Sequence, residues 1–189
     1  MTRSTFGLIT HLLALMLSAG VLAAIADQQA EPDPWEAVRL FLGEWSGTAE
    51  GEAGRGTVRR SYKFVMNGRF LLERNISTYP PQEKNPKGEI HEHWSLFSYD
   101  RARRALVMRQ FHVEGFVSQY VSATSPAAKG QLVFESESLE NMPAGWRARE
   151  SYTFLSPEEF TETFELALPG QAFKLYSRSS FQRVKVKPD

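Results

Sequence analysis

Apolar and polar residues alternate in short runs from residue 44 onward, and no stretch of this region keeps the period of an amphipathic helix. Turn signals separate ten such runs. Because the connections are short and none contains a helical crossover, the pattern predicts an antiparallel meander. We expect an all-β fold, a ten-stranded antiparallel up-and-down β-barrel, with a β-sandwich as the alternative. The predicted strands are 44–51, 57–66, 69–79, 89–99, 104–113, 115–123, 130–137, 146–155, 159–167 and 171–184.

One helical pattern precedes these strands. Asp33 is a candidate N-cap, Pro34 suits the first helical position, and Gly43 suits the end of a helix. The sequence therefore predicts a short amphipathic helix over 34–42 that closes one end of the barrel, within a barrel domain over 34–186. Its apolar face would carry Trp35, Val38, Phe41 and Leu42.

The first 26 residues have the features of a secretory signal peptide. One cation, Arg3, precedes an apolar run over 6–25, and residues 24–26 form a small-x-small cleavage site. Residues 27–33 would then be a linker. We expect a periplasmic or secreted protein with no stable membrane insertion after cleavage. An uncleaved anchor is the alternative, because the run is nearly long enough to span a bilayer.

The charge balance narrows the classes of partner. The chain carries 22 Lys and Arg residues and 22 Asp and Glu residues, so its net charge does not attract a phosphate backbone, and we expect no nucleic-acid partner. It has no cysteine, which excludes disulfides, thiol catalysis and zinc–thiolate sites. Since the sequence has neither a phosphate-binding loop nor a nucleophile motif, we predict no catalytic residue and leave open whether the protein is an enzyme.

The first and last strands carry a family resemblance. Gly43-Glu44-Trp45, within "LGEWSGTAEG", resembles the Gly-x-Trp motif of the lipocalin and fatty-acid-binding-protein (calycin) superfamily, and the whole stretch is similar to the opening of nitrobindin-like β-barrels. The segment "ELALPGQAFKLYSRSSFQRV" also resembles the final hairpin of that family. The resemblance implies a lipocalin-like barrel in which Trp45 plugs the closed end and Arg183 stacks on it.

The same resemblance implies that haem could be bound, with one departure. Haem-binding members carry a histidine late in the last strand, whereas this chain has Tyr176 and Arg178 there and no histidine after His112. Tyr176 is the first candidate for an axial ligand. One of the three histidines His91, His93 and His112 is the second. We expect no cofactor; the alternative function is a haem-binding protein that acts on reactive nitrogen species.

The hairpin over 89–114 is the segment richest in candidate chemistry. If its turn spans 99–104, residue 93 lies opposite 110 and residue 91 opposite 112. One face is then largely apolar and is expected to point into the barrel. Ligand contacts from that face are predicted for Glu92, Trp94, Arg109 and Phe111. The opposite face, expected to meet solvent, gathers His91, His93, Gln110, His112 and Glu114.

Three imidazoles on one strand face also suit Zn²⁺ or another divalent metal. His91 and His93 are spaced His-x-His on one strand, and His112 lies on the next. We predict no metal site, because this face is expected to be solvated and a one-residue change of register would disperse the cluster. The alternative is a metal site formed by these three histidines.

Charged residues in phase with large apolar ones would line a barrel interior. Arg74, Glu150 and Glu162 have this pattern, and each would have to be paired, hydrated or bound to a ligand. On the last strand, Tyr176 and Arg178 resemble the carboxylate clamp of fatty-acid-binding proteins, in reversed order. We predict that they bind an acidic head group, and that Glu150 or Glu162 pairs with Arg178 when no ligand is present.

These features favour one function over two alternatives. We expect an exported, lipocalin-like barrel that binds a small hydrophobic, fatty-acid-like molecule in its interior. The alternatives are the haem-binding protein described above and a structural protein whose barrel is filled by side chains.

Overall fold

The computed structural model of the chain describes residues 33–123 and 130–185. The predicted signal peptide and all but the last residue of the linker lie outside the described residues. The described part begins with a 3-10 helix, Glu36–Phe41, and continues as ten β-strands, which confirms the predicted series. The strands are β1 (Gly43–Gly51), β2 (Gly54–Val65), β3 (Phe70–Tyr79), β4 (Glu89–Asp100), β5 (Ala105–His112), β6 (Val117–Ser122), β7 (Gln131–Glu140), β8 (Arg147–Ser156), β9 (Glu159–Ala167) and β10 (Lys174–Arg183).

The sheet closes on itself. Each strand pairs antiparallel with the next, and β10 pairs with β1, so that Trp45 lies opposite Arg183. The fold is therefore the expected all-β, ten-stranded up-and-down barrel and not a sandwich. Local turn chemistry supports the hairpins: Asn67 and Gly68, between β2 and β3, have φ angles of 56° and 75°. These are the left-handed values of the turn type that matches strand twist.

The helix is shorter and tighter than the sequence predicts. It spans Glu36–Phe41, starts after Trp35 at the N-cap, and no side chain caps it. The predicted short helix is therefore confirmed, as a 3-10 helix that begins two residues later and ends one residue earlier than expected, and only the expected cap at Asp33 is wrong. Hydrogen bonds at both ends of the helix join residues three apart in the chain. Val38 N donates to Trp35 O at 3.0 Å, and Leu42 N donates to Arg39 O at 3.2 Å. Within the described residues, no helix has the length and apolar character needed to cross a membrane.

Trp45 plugs the closed end of the barrel, as predicted. Its ring is 1% exposed, and its Nε1 donates a hydrogen bond of 2.6 Å to the carbonyl of Phe41, the last helical residue. The Arg183 guanidinium lies 4.3 Å over the tryptophan ring and donates to the carbonyls of Leu40 and Leu42. Arg183 therefore ties the helix to the last strand. Gly43 has φ +112°, and a Cβ there would lie 3.1 Å from Arg183 Nη1.

An aromatic core fills the half of the barrel beneath the helix. Phe41 stacks on Tyr62 with ring centroids 4.8 Å apart, and Phe160 stacks on Phe181 at 4.4 Å. Stacked and edge-on rings of this kind exclude water from the closed end. The other half of the barrel has a different lining, and it contains the candidate site.

Candidate functional site

The end of the barrel opposite the helix contains a cavity of about 510 Å³. β1 runs from Trp45 in the closed end to Gly51 in the cavity wall. The apolar part of the wall is formed by Phe116, Leu139, Trp146, Phe164 and Leu166. The deeper part is polar and includes Arg60, Gln110, Glu150 and Glu162, all buried. The barrel is therefore not filled by side chains at this end.

The β4–β5 hairpin faces the opposite way from the prediction. His93 is 7% exposed and Gln110 1%, whereas Trp94 is 44% exposed and Phe111 48%. The histidine face thus lines the cavity, and the apolar face lies on the outer surface. The predicted interior positions of four ligand-binding candidates are therefore wrong: Glu92, Trp94, Arg109 and Phe111.

The register explains which part of the hairpin prediction holds. Observed partners are His93 with His112 and Trp94 with Phe111, two residues from the predicted pairing. A shift of two preserves the grouping of residues by face, so the histidines stay together. Toward the closed end, the same face carries Phe97 and Met108, both fully buried in the core. Packing of these side chains decides that the histidines point inward.

A β-bulge in β10 separates Tyr176 from Arg178, the two residues of the predicted carboxylate clamp. The pairing with β9 shifts between Leu175 and Ser177, which leaves Tyr176 as the extra residue. Tyr176 stays at the cavity rim, with its ring edge-on to Phe164 at 5.6 Å. Arg178 is exposed and lines a separate groove outside the barrel. The prediction that Arg178 lies inside, paired with Glu150 or Glu162, is therefore wrong.

The buried charges of the cavity centre on Arg60, which the sequence analysis missed. Its guanidinium lies 2.9 Å from Glu162 and 3.0 Å from Glu73, and it stacks over the Phe181 ring at 4.5 Å. Of the lysines and arginines in the described part of the chain, only Arg60 is buried. One guanidinium thus pairs with two carboxylates. With Glu150 protonated and the imidazoles neutral, the interior carries one negative charge in excess.

Two of the three predicted internal charges are placed correctly. Glu150 and Glu162 lie inside as expected, but Arg74 lies outside, stacked on Trp94 at 4.3 Å. Its neighbour Glu73 is the buried charged residue of "FLLERNI". The alternation that suggested Arg74 fits Glu73 equally well with the opposite strand face inward.

Glu150 is the cavity's candidate hydrogen-bond donor. Burial and the nearby charge of Glu162 raise its pKa to about 8, so the carboxyl group is protonated at neutral pH. The Tyr152 hydroxyl donates a short hydrogen bond to it. For Glu73, burial would raise the pKa, but Arg60 and a hydrogen bond from His93 outweigh it and lower the pKa to about 2.

Glu150→Gln should raise the free energy of unfolding increasingly as the pH rises. The folded pKa of about 8 exceeds the reference value of 4.5, so the folded state retains a proton that the unfolded state releases between these values. Stability from this group therefore falls with rising pH in wild type, and glutamine removes the effect. Urea unfolding should show the mutant gaining roughly 4 kcal/mol on wild type between about pH 5 and 8.5. A difference that does not change with pH would contradict a protonated Glu150.

Three histidines converge in the cavity wall. The ring centroids of His91, His93 and His112 are 5.5, 5.5 and 5.4 Å apart. His91 Nδ1 lies 2.7 Å from Glu114 Oε1, and His93 Nε2 lies 3.3 Å from Glu73 Oε1. Burial and the other two imidazoles lower the pKa of His112 to about 3, so its ring stays neutral with a free lone pair. These nitrogens could hold a metal ion.

The cavity residues fit haem poorly. Burial and neighbouring carboxylates, Glu89 first among them, raise the pKa of the Tyr176 phenol, which disfavours the phenolate that iron would need. The three histidine ligand atoms lie within 4.8 Å of one another, so a porphyrin that reached one imidazole would meet the other two. The axial role predicted for Tyr176 is not favoured by this geometry.

Comparison with known proteins gives the class of fold. The structure is similar to that of Rv2717c from M. tuberculosis, with a TM-score of 0.59 and 15% sequence identity over 82% of this chain and 99% of that chain. At this identity the similarity shows the fold alone. No protein-family model matches the sequence, and no curated protein matches it. The fold and the cavity together define a closed ten-stranded antiparallel β-barrel that is open to a ligand-sized cavity at one end.

Proposed function

We propose that this protein binds a small, largely apolar molecule in the cavity at the open end of its barrel. The observation that carries the proposal is the cavity of about 510 Å³, which lies beyond a tightly packed aromatic plug. Ligand sites in proteins are commonly cavities of about 300 to 1,000 Å³ with an apolar wall and a few polar groups. Phe116, Trp146 and Phe164 supply the apolar wall, and Gln110 and Glu150 supply polar groups.

The charge of the interior favours a neutral head group on this molecule. Arg60 already lies between Glu73 and Glu162, so a carboxylate would have to displace one of them. The protonated Glu150 can donate a hydrogen bond. Gln110 Oε1 is buried with no hydrogen-bond partner among the described residues, so it can accept one. An alcohol or amide matches this pair of groups better than a fatty acid does.

Export and a nitrobindin-like role are proposals that rest on the sequence alone. Export rests on the apolar segment and the small-x-small site within residues 1–26. A nitrobindin-like role rests on the resemblance of the first and last strands, and the poor fit of haem weakens it. We therefore propose an exported barrel for an apolar ligand as the primary function, with haem as an outcome of the test below.

A pair of adjacent serines on β10 tests the cavity. Ser179 is buried and lines the cavity, whereas Ser180 is exposed on the other face of the same strand. We expect Ser179→Phe to fill part of the cavity and weaken binding of the neutral fluorescent probe N-phenyl-1-naphthylamine by at least about tenfold. Ser180→Phe is the matched control and should bind the probe like wild type. Equal affinities in both variants, or no saturable binding by wild type, would contradict the proposal.

Competition against the same probe tests the head group. Dodecanol and dodecanoic acid share a chain and differ in charge, so their ratio isolates the effect of the interior charge. In protein stripped of metal with a chelator, dodecanol should displace the probe at least about tenfold more effectively. Stronger displacement by the acid would show that Arg60 is free to bind an anion. An absorption band of bound haem in protein from a haem-rich culture would instead favour the alternative.

A further inference from the structure

We propose that His91, His93 and His112 form a binding site for a divalent transition-metal ion of the Zn²⁺ type in the cavity wall. His91 and His93 come from β4 and His112 from the end of β5, so two adjacent strands fix all three rings. Imidazole nitrogens are ordinary ligands for Zn²⁺, Co²⁺, Ni²⁺ and Cu²⁺. The chain has no cysteine that could compete for such an ion.

The distances match those around a tetrahedral ion. Zn–N bonds of about 2.0–2.1 Å place ligand nitrogens about 3.3 Å apart and the centroids of their rings about 5 Å apart. His93 Nδ1 and His91 Nε2 are 3.4 Å apart, and the three centroid separations are 5.4 to 5.5 Å. Small rotations of the side chains would bring the rings to bonding distance.

Two of the rings are already oriented by carboxylates, which contact the ring nitrogen that points away from the cluster. Glu114 bonds to Nδ1 of His91, which leaves its Nε2 facing the cluster. Glu73 bonds to Nε2 of His93, which leaves its Nδ1 facing the cluster. A carboxylate on the distal nitrogen of a metal-bound histidine fixes the ring and strengthens it as a ligand.

His112 is the third ligand, and its ring nitrogens lack the hydrogen bonds that the other two histidines make. Both of its ring nitrogens are buried, and neither has a hydrogen-bond partner among the described residues. Its ring stacks on Phe116 with centroids 3.9 Å apart, so its orientation is fixed by packing. A buried polar atom without a partner costs free energy, and a metal bond would remove that cost for one nitrogen.

The surroundings also favour a cation with one open position. The excess negative charge near Arg60, Glu73 and Glu162 offsets part of the charge of a divalent ion. Three protein ligands leave a fourth tetrahedral position, and all three histidines line the cavity. A donor atom of a cavity ligand could take that position; this last step rests on the proposed function, whereas metal binding does not.

Equilibrium dialysis of the full chain against Zn²⁺, with metal counted by mass spectrometry, tests the site. We expect one equivalent bound with a Kd of about 1 µM or lower. His112→Phe keeps the ring stack but removes both nitrogens, and it should weaken binding by at least about 100-fold. Glu114→Gln should weaken it by about tenfold. Glu92→Gln changes an exposed carboxylate on the outer face of β4 and should leave binding unchanged.

Co²⁺ substitution supplies a second readout. The visible bands of wild-type protein should indicate four-coordinate cobalt and should shift when azide is added, because the fourth position is open. If His112→Phe does not fold, as judged by near-ultraviolet circular dichroism, His91→Gln at a less buried position replaces it in the comparison.

Two results would overturn the metal site. One is retention of less than about 0.1 equivalent of Zn²⁺ by wild type under these conditions. The other is equal affinity in wild type and in a folded histidine variant. The two proposals can fail separately: Zn²⁺ binding without binding of N-phenyl-1-naphthylamine retains the metal site and rejects the apolar cavity ligand, and the reverse result does the opposite.

Discussion

Trp45→Ala is expected to lower the free energy of unfolding by about 3 to 5 kcal/mol, as for other fully buried large aromatic residues. The substitution removes the ring that fills the closed end beneath the helix, which is 1% exposed. It also removes the hydrogen bond to the Phe41 carbonyl and the surface on which Arg183 stacks. Urea unfolding followed by circular dichroism measures the loss.

The outer surface provides a matched control for Trp45. Trp94 also carries a stacked guanidinium, that of Arg74 at 4.3 Å, but it is 44% exposed. We expect Trp94→Ala to cost less than about 1 kcal/mol, because an exposed cation–π pair contributes little and no cavity is created. Similar losses in the two variants would mean that the plug does not depend on burial at the closed end.

Much of the fold could be predicted because its determinants are local. Alternation of apolar and polar residues marks each strand, and turns such as Asn67-Gly68 mark the hairpins. Ten strands joined in this way leave few arrangements other than a closed meander. The helix was harder, because the few residues between Pro34 and Gly43 suit an α-helix or a 3-10 helix equally well.

The inward face of the site could not be predicted by the same argument. Alternation groups residues by face but does not say which face is interior. On β4 and β5 the apolar residues near the open end, such as Trp94 and Phe111, lie outside. The deciding residues, Phe97 and Met108, lie toward the closed end on the histidine face. Weighing the whole length of both strands would have narrowed the difference in apolar content between the two faces.

The charge network was missed for a different reason. Arg60 on β2 bonds to Glu162 on β9, 102 residues further along the chain. No rule of local spacing connects residues that far apart, and only barrel closure brings them together. In "RRSYKF", Arg60 is in phase with Val58 and Tyr62, which is the same pattern that correctly placed Glu150 and Glu162 inside.

Arg60→Met should lower the free energy of unfolding by about 3 to 5 kcal/mol at neutral pH, because it leaves buried carboxylates without their cation. Methionine preserves much of the apolar volume beside Phe181, so the loss reports charge more than packing. Arg149 offers a matched control: it also forms a two-bond pair, with Glu165 at 2.7 and 3.0 Å, but the pair is partly exposed. We expect Arg149→Met to cost less than about 1 kcal/mol.

A double-mutant cycle separates the charge from the shape of Arg60. In a Glu162→Gln background one of the two carboxylates is already neutral, so the further cost of Arg60→Met should fall by at least about 1.5 kcal/mol. Glu73 keeps its hydrogen bond from His93 in either background, so the change reports the pair between Arg60 and Glu162. Urea unfolding of the four proteins at one pH gives the coupling. If the cost of Arg60→Met is the same in both backgrounds, the guanidinium stabilises the barrel by packing on Phe181, and the interior lacks the excess negative charge on which the preference for a neutral ligand depends.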